Sequence, residues 1–152
     1  MRGNRIKKLI QHNISLIAYH LPLDAHPVLG NNAAIADLIG LKNLEALDSS
    51  EKHPIGNIAY LEHALSPEQF KAKLQAIFEF NVIHLPSDKP QIQKVGFCTG
   101  GAQDFINKAA QENCDAYISG EVSERTFYEA KELGVVVLWT NPKGADYHRF
   151  LR

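Results

Sequence analysis

Three side chains able to bind a metal ion or move protons, His20, Asp24 and His26, fall in the short run Ala18-Tyr-His-Leu-Pro-Leu-Asp-Ala-His-Pro27. Neutral imidazoles and carboxylates ligate zinc, iron or manganese, and a carboxylate can bridge two ions. Pro22 and Pro27 fix φ at about −65° and remove backbone donors, so the loop is expected to be irregular but stiff, as a site requires. The spacing alone leaves another reading open, in which Asp24 starts the turn and both histidines are half-buried loop residues.

Two glycine-bearing turns are further candidates. Thr99-Gly100-Gly101 lies between an apolar run and a helical pattern, where glycines allow close approach of a ligand and a helix N-terminus offers free N–H groups to an anion. It is neither a P-loop nor G-x-G-x-x-G, and a plain tight turn is the alternative. In Ser119-Gly120-Glu121, the carboxylate is placed to act as a general base or to orient a metal ligand, or simply to favour the positive end of the next helix. His12, His53, His63 and His84 are scattered and read as surface or packing residues.

These residues need elements to hold them. Arg5 to His12 has helical spacing, and Asn13 is suited to end it in the left-handed conformation. Ile14 to Tyr19 reads as an inner strand, apolar on both faces except at Ser15, with His20 at its C-terminal end, where open α/β sheets place ligands. Asn31 or Asn32 is expected to cap a helix over 33–39 that Gly40 stops. Residues 41–56 read as a connection, and Ile58 to Leu61 as a strand. Ser66-Pro67-Glu68-Gln69 opens a helix with Phe70, Leu74, Ile77 and Phe78 as its stripe. A short strand over 82–85 and an exposed turn over 86–90 follow. Then strand 95–98, helix 102–111, strand 114–118, helix 123–133 (Phe127, Ala130 and Leu133 inward, Gly134 at its end) and strand 135–139 alternate. The expected class is α/β, a mostly parallel sheet flanked by helices.

Composition narrows the function. The 152 residues suffice for one domain, and 16 basic against 17 acidic residues leave a net charge of −1. That balance gives no electrostatic reason to expect nucleic acid or an anionic membrane as partner. Arg2, Arg5, Lys7 and Lys8 read as a solvated helix face. Cys98 and Cys114 sit in apolar surroundings outside any C-x-x-C pair and are expected as buried thiols of a reducing compartment. No signal-peptide pattern opens the chain, and no run approaches about 18 apolar residues. A cytoplasmic protein is expected.

Taken together, His20-Leu-Pro-Leu-Asp24-Ala-His26, Gly30-Asn31-Asn32, Gly96-Phe-Cys-Thr-Gly-Gly101 and Asp115-Ala-Tyr-Ile-Ser-Gly-Glu121-Val-Ser-Glu124 resemble, in order and spacing, the dinuclear-metal-centre hexameric family known as GTP cyclohydrolase 1 type 2. The resemblance spans about residues 4–138. It implies an α/β fold, a ring-shaped homo-hexamer and a pair of divalent metal ions per subunit. It also implies hydrolytic opening of the purine ring of GTP to a formylated pyrimidine triphosphate. Of the family's metal ligands, an adjacent His-His pair, the Asp of the loop and a late His and Glu, only the Asp has a counterpart, at Asp24. His20, His26, Glu121, Gly100 and Gly101 become candidates for orienting ligands or meeting substrate. The resemblance thus implies a partial family domain over 1–139, shortened at the front, with a divergent tail over 140–152 in which His148 has no matching context. A metal-dependent hydrolase with an impaired site and a non-catalytic remnant or interaction module are the two functional expectations. Bared strand edges and apolar faces are expected to limit solubility.

Overall fold

A six-stranded mixed sheet, in the order β1-β2-β4-β5-β6-β3, organises the computed structural model, which describes residues 2–79, 81–85 and 87–139. The strands are β1 (Lys42–Ala46), β2 (Asn57–Leu65), β3 (Ile83–Leu85), β4 (Ile92–Cys98), β5 (Ala116–Ser119) and β6 (Val136–Trp139). The helices are α1 (Arg2–Gln11), α2 (Leu21–Asp24), α3 (Asn31–Ile39), α4 (Pro67–Phe78), α5 (Ile106–Gln111, preceded by a 3₁₀ turn at Gln103–Phe105) and α6 (Glu124–Leu133). The tail over 140–152, with His148, lies outside the described residues.

The α/β class and the strand–helix alternation hold at the sheet's centre. β4, β5 and β6 run parallel, with α5 and α6 as crossovers. The parallel character ends there, because β1–β2, β2–β4 and β3–β6 are antiparallel. Side chains alternate between two cores, as the period of two requires. Ala116, Ile118, Val136 and Leu138 face a core shared with Ile35, Ile39, Phe70, Leu74 and Phe78. Tyr117 and Val137 face the other, with Ile58, Ile106, Ala109 and Ala130. Both cysteines are buried and free.

Local signals account for most element ends. Ser66 and Gln69 form a reciprocal capping box ahead of α4, with Pro67 in its first turn. Ser123 caps α6, and Gly40 and Gly134 close α3 and α6 in the left-handed conformation, as does Asn13 after α1.

Several expectations fail, each for a physical reason. Residues 14–19 form no strand: Ile14, Leu16, Ile17 and Tyr19 are 56–76% exposed, because no described strand lies beside them to complete a ladder. His20 therefore ends no strand, and the loop after it winds into the short helix α2 rather than staying irregular. Gly30, not Asn31 or Asn32, is the N-cap of α3, since both asparagine side chains are engaged elsewhere. The connection over 41–56 contains β1, an exposed edge strand with a register irregularity between Lys42 and Glu45. Phe127 and Leu133 point outward, and α6 buries Thr126 and Ala130 instead.

Candidate functional site

At the C-terminal ends of β4 and β5 the chain leaves the sheet through Thr99-Gly100-Gly101 and Ser119-Gly120-Glu121. The α2–α3 loop closes over the first of these turns. Parallel strands direct their carboxyl ends to one side of a sheet, which brings segments far apart in sequence to one edge.

Asp24 is the centre of the cluster. It is 6% exposed, and a buried carboxylate must be hydrogen-bonded to be tolerated. Asn31 Nδ2 donates to Asp24 Oδ1 at 2.6 Å, and Thr99 Oγ1 donates to the same oxygen at 3.5 Å. The other oxygen, Oδ2, faces His20 Nε2 at 3.7 Å. His20 is one helical turn before Asp24 and its side chain is 88% exposed, so α2 sets the two on one face with the imidazole open to solvent. Asn32, 1% exposed, ties the loop down from within. Its Oδ1 accepts from Thr99 N at 2.9 Å, and its Nδ2 donates to Ile55 O.

His26 has a different job from His20. Its Nδ1 accepts from Val28 N at 3.2 Å and Leu29 N at 3.0 Å, fixing the turn that precedes α3. A ring nitrogen that accepts two amides carries no proton, so in the neutral ring the proton sits on Nε2, which then donates and has no lone pair for a metal. His26 also lines a cavity of about 350 Å³ with Lys52, His53, Glu45 and Asn57, apart from Asp24.

The glycines of the two turns answer a packing demand. Gly100 has φ +79°, a conformation that L side chains rarely adopt. A Cβ on Gly120 would lie 2.8 Å from Gly100 O, so the turns pass backbone against backbone. The Glu121 carboxylate lies over Gly101, 3.0 Å from where a Cβ would stand. Glu121 N donates to Ser119 Oγ, and Tyr117, buried beneath, donates its OH to Ala102 O at 2.7 Å. Burial pushes the Tyr117 hydroxyl upward, so it stays a neutral donor. Burial also raises the Cys98 thiol to about 11, against a smaller opposing effect of its hydrogen bond with Asn32.

The structure thus joins Asp24, His20 and the Thr99–Gly101 turn, sets Glu121 against that turn, and turns Nδ1 of His26 to scaffolding. Sequence reasoning missed the roles of Asn31, Asn32 and Thr99. Two adjacent amides after Gly30 were the available signal, and they read more simply as a helix cap. Asp24 and His20 fit a cation, being a carboxylate and an exposed imidazole that converge. Among the described residues no group of three or more metal-capable side chains occurs, whereas a catalytic site takes three protein ligands.

The family model described as Duf34/NIF3 (NGG1p interacting factor 3) matches residues 1–141. The chain is 41% identical over 137 residues to a GTP cyclohydrolase 1 type 2 homolog of Haemophilus influenzae, covering 89% of this chain and 54% of that protein. It is 43% identical over 141 residues to the homolog of Vibrio cholerae, with the same shares. Among solved structures it is similar to protein ybgI, described as of unknown function, with TM-score 0.78 and 36% identity over 91% of this chain and 54% of that one. It is also similar to reduced HcgD from Methanocaldococcus jannaschii, with TM-score 0.74 and 26% identity over 95% and 56%. The chain spans about half the length of the relatives it matches.

Proposed function

The chain belongs to the Duf34/NIF3 family, and from that membership we propose that it is a metal-dependent hydrolase subunit of the GTP cyclohydrolase 1 type 2 kind, with an incomplete ligand set of its own. The observation that carries this reading is the orientation of Asp24: one oxygen is held by Asn31 and Thr99 while the other is left toward the exposed His20. Burial requires partners for the held oxygen, whereas the second oxygen meets only a solvent-exposed imidazole, which leaves it free for a cation.

In this reading Asp24 and His20 hold a divalent cation, and His26, Gly100, Gly101 and Glu121 shape the ground beside it. A divalent ion there would polarise the purine ring of GTP and supply hydroxide at neutral pH. Asn31 and Thr99 keep the carboxylate aimed. Glu121, exposed at the mouth of the second turn, is placed to take a proton from water or to meet substrate. A homo-hexamer in the cytoplasm belongs to the same reading. A second reading, a non-catalytic module of this fold, is favoured by one observation: the described residues bring only two potential ligands to the site.

Metal content per chain on protein purified without chelator separates them, measured beside Asp24→Ala and with GTP turnover in manganese or zinc. About one ion or more per chain, lost with Asp24→Ala together with turnover, supports the hydrolase. A stoichiometry near zero with no turnover selects the non-catalytic module.

A further inference from the structure

Apart from Asp24, the cavity of about 350 Å³ that His26 lines is walled by three segments, each held in place by bonds of its own. One wall is the α2–α3 loop, whose turn is fixed by the amides of Val28 and Leu29 on His26 Nδ1. The second is the β1–β2 connection. Lys108 Nζ pairs with Asp48 at 3.0 Å and with Glu51, and Asn32 Nδ2 donates to Ile55 O, so the connection is anchored on both sides of Lys52 and His53. The third wall is the edge strand β1 with Asn57 of β2, joined by Asn57 Nδ2 donating to Glu45 O at 3.1 Å. A register irregularity between Lys42 and Glu45 interrupts the pleat there, a device that re-aims side chains at sheet edges. Ligand cavities are usually preformed in this way, with volumes from about 300 Å³ upward.

The polar groups divide by wall. The two loops supply donors. With Nδ1 of His26 committed to its turn, Nε2–H is the polar group of the ring left for the cavity. Lys52 adds an ammonium, and Lys108 takes its nearest acidic neighbours in sequence, Asp48 and Glu51. The strand wall supplies acceptors. Asn57 Nδ2 is engaged by Glu45 O, which leaves Asn57 Oδ1 beside the Glu45 carboxylate. Lys52 and Glu45 line one cavity yet do not pair with each other or with another described residue. Ala25, Pro27, Ala33, Leu44 and Pro54 make much of the remaining lining apolar. A lone anion there would meet Glu45 as a like charge, and a lone cation would meet Lys52. We propose that this cavity binds a small zwitterion of amino-acid or dipeptide size. Its carboxylate meets Lys52 and His26, its ammonium meets Glu45 and Asn57, and an apolar side chain lies against Leu44 and the prolines. The site uses neither Asp24 nor a metal ion, so it does not rest on the hydrolase reading.

The test titrates leucine and alanylleucine into the ¹⁵N-labelled chain, each beside its N-acetyl and C-terminal amide forms. The amide signals of Val28, Leu29 and Asn57 report on the three-sided cavity. Saturable shifts of these signals are expected with at least one of the two zwitterions. Both blocked forms, each lacking one charge, should bind about 10-fold more weakly, the loss of one charge-assisted contact. Lys52→Ala should erase the penalty for blocking the carboxylate, and Glu45→Gln the penalty for blocking the amine. Both side chains are exposed, so neither variant threatens the fold. The absence of saturable shifts with both zwitterions overturns the proposal, as do variants that leave the two penalties unchanged. So does a blocked form that binds as well as its parent, or tighter binding by inorganic phosphate, which assigns the cavity to a singly recognised group. None of these readouts involves metal or GTP turnover, so failure here is distinct from failure of the hydrolase reading.

Discussion

Asn31 Nδ2 donates to Asp24 Oδ1 at 2.6 Å, joining the first residue of α3 to the last residue of α2. The bond decides which oxygen of Asp24 stays available. Asn31→Ala should cost about 2 kcal/mol in urea denaturation, the loss of a hydrogen bond to a charged group. It should also weaken divalent-metal retention about 10-fold, because the carboxylate loses its orienting partner. Asn31→Asp should be the worse variant, since it sets two carboxylates where an amide met one. Equal stability of the two variants would show that the contact with Asp24 contributes nothing.

Asn32 bridges Thr99, just after β4, and Ile55, just before β2, beyond the last pair of the β2–β4 ladder, Asn57 with Phe97. Asn32→Ala leaves a part-buried N–H and a part-buried carbonyl without this partner and is expected to destabilise by about 2 kcal/mol, beyond an ordinary surface change. Asn32→Asp should do at least as badly, because a carboxylate cannot donate to Ile55 O. Chemical denaturation of both variants gives the comparison.

Cys98 and Cys114 should be inert in the native protein. Burial raises both thiols to about 11, so little thiolate exists at pH 8, and neither sulfur is accessible. Ellman's reagent is expected to read no thiol in buffer and both in denaturant. Rapid native reaction would mean that the sheet opens locally around β4 or α5.

Where the chain was legible, the cause was local or doubly buried. Ser66-Pro67-Glu68-Gln69 states its own capping chemistry, and the apolar runs at 95–98, 116–119 and 136–138 are buried without alternation, so they reflect burial on both faces directly. Residues 14–19 show the limit of that logic. An apolar run reports that something should cover it, without saying what or whether it lies in the same stretch of chain. β1 escaped notice for the opposite reason, since an exposed edge strand such as Lys42–Ala46 needs no apolar alternation, and Asn43 interrupts it with φ 56°. At the site, Asp24 was readable from ligand chemistry. The clamp by Asn31, Asn32 and Thr99 was not, because it depends on contacts across as many as 75 residues of sequence.

Asp115 gives a pH-dependent prediction. Burial alone would raise its carboxyl, but the amides of Lys94 and Gln93 and the Lys89 ammonium outweigh this and hold it below the usual carboxylate range. Gln93 N and Lys94 N donate to one oxygen, and Lys89 Nζ donates to the other at 3.1 Å. A folded-state value depressed below the unfolded one contributes stability above the unfolded value, and that contribution is lost as pH falls through the folded value. Asp115→Ala should therefore destabilise by about 2 kcal/mol at pH 7, with the gap from the parent narrowing below about pH 4. A gap independent of pH would locate the effect in packing rather than in charge.

Gly30 offers the sharpest steric test of the site. Its φ of −74° is open to any residue, so left-handed strain is not the issue. A Cβ there would stand 2.3 Å from His26 O, 2.7 Å from Leu23 O and 2.9 Å from Asp24 O, all backbone atoms that cannot swing aside. Gly30→Ala must therefore push the α2–α3 loop away from α3, lengthening the Asn31–Asp24 bond that aims the carboxylate. A loss of about 2–3 kcal/mol is expected, together with a fall in metal retention at least as large as that of Asn31→Ala. Gly3→Ala, in helix α1 with nothing within 4 Å, is the control without a clash and should lower neither quantity. If Gly30→Ala were as well tolerated as the control, the loop would be loose enough to absorb a methyl group, and Asp24 would not be a pre-aimed ligand.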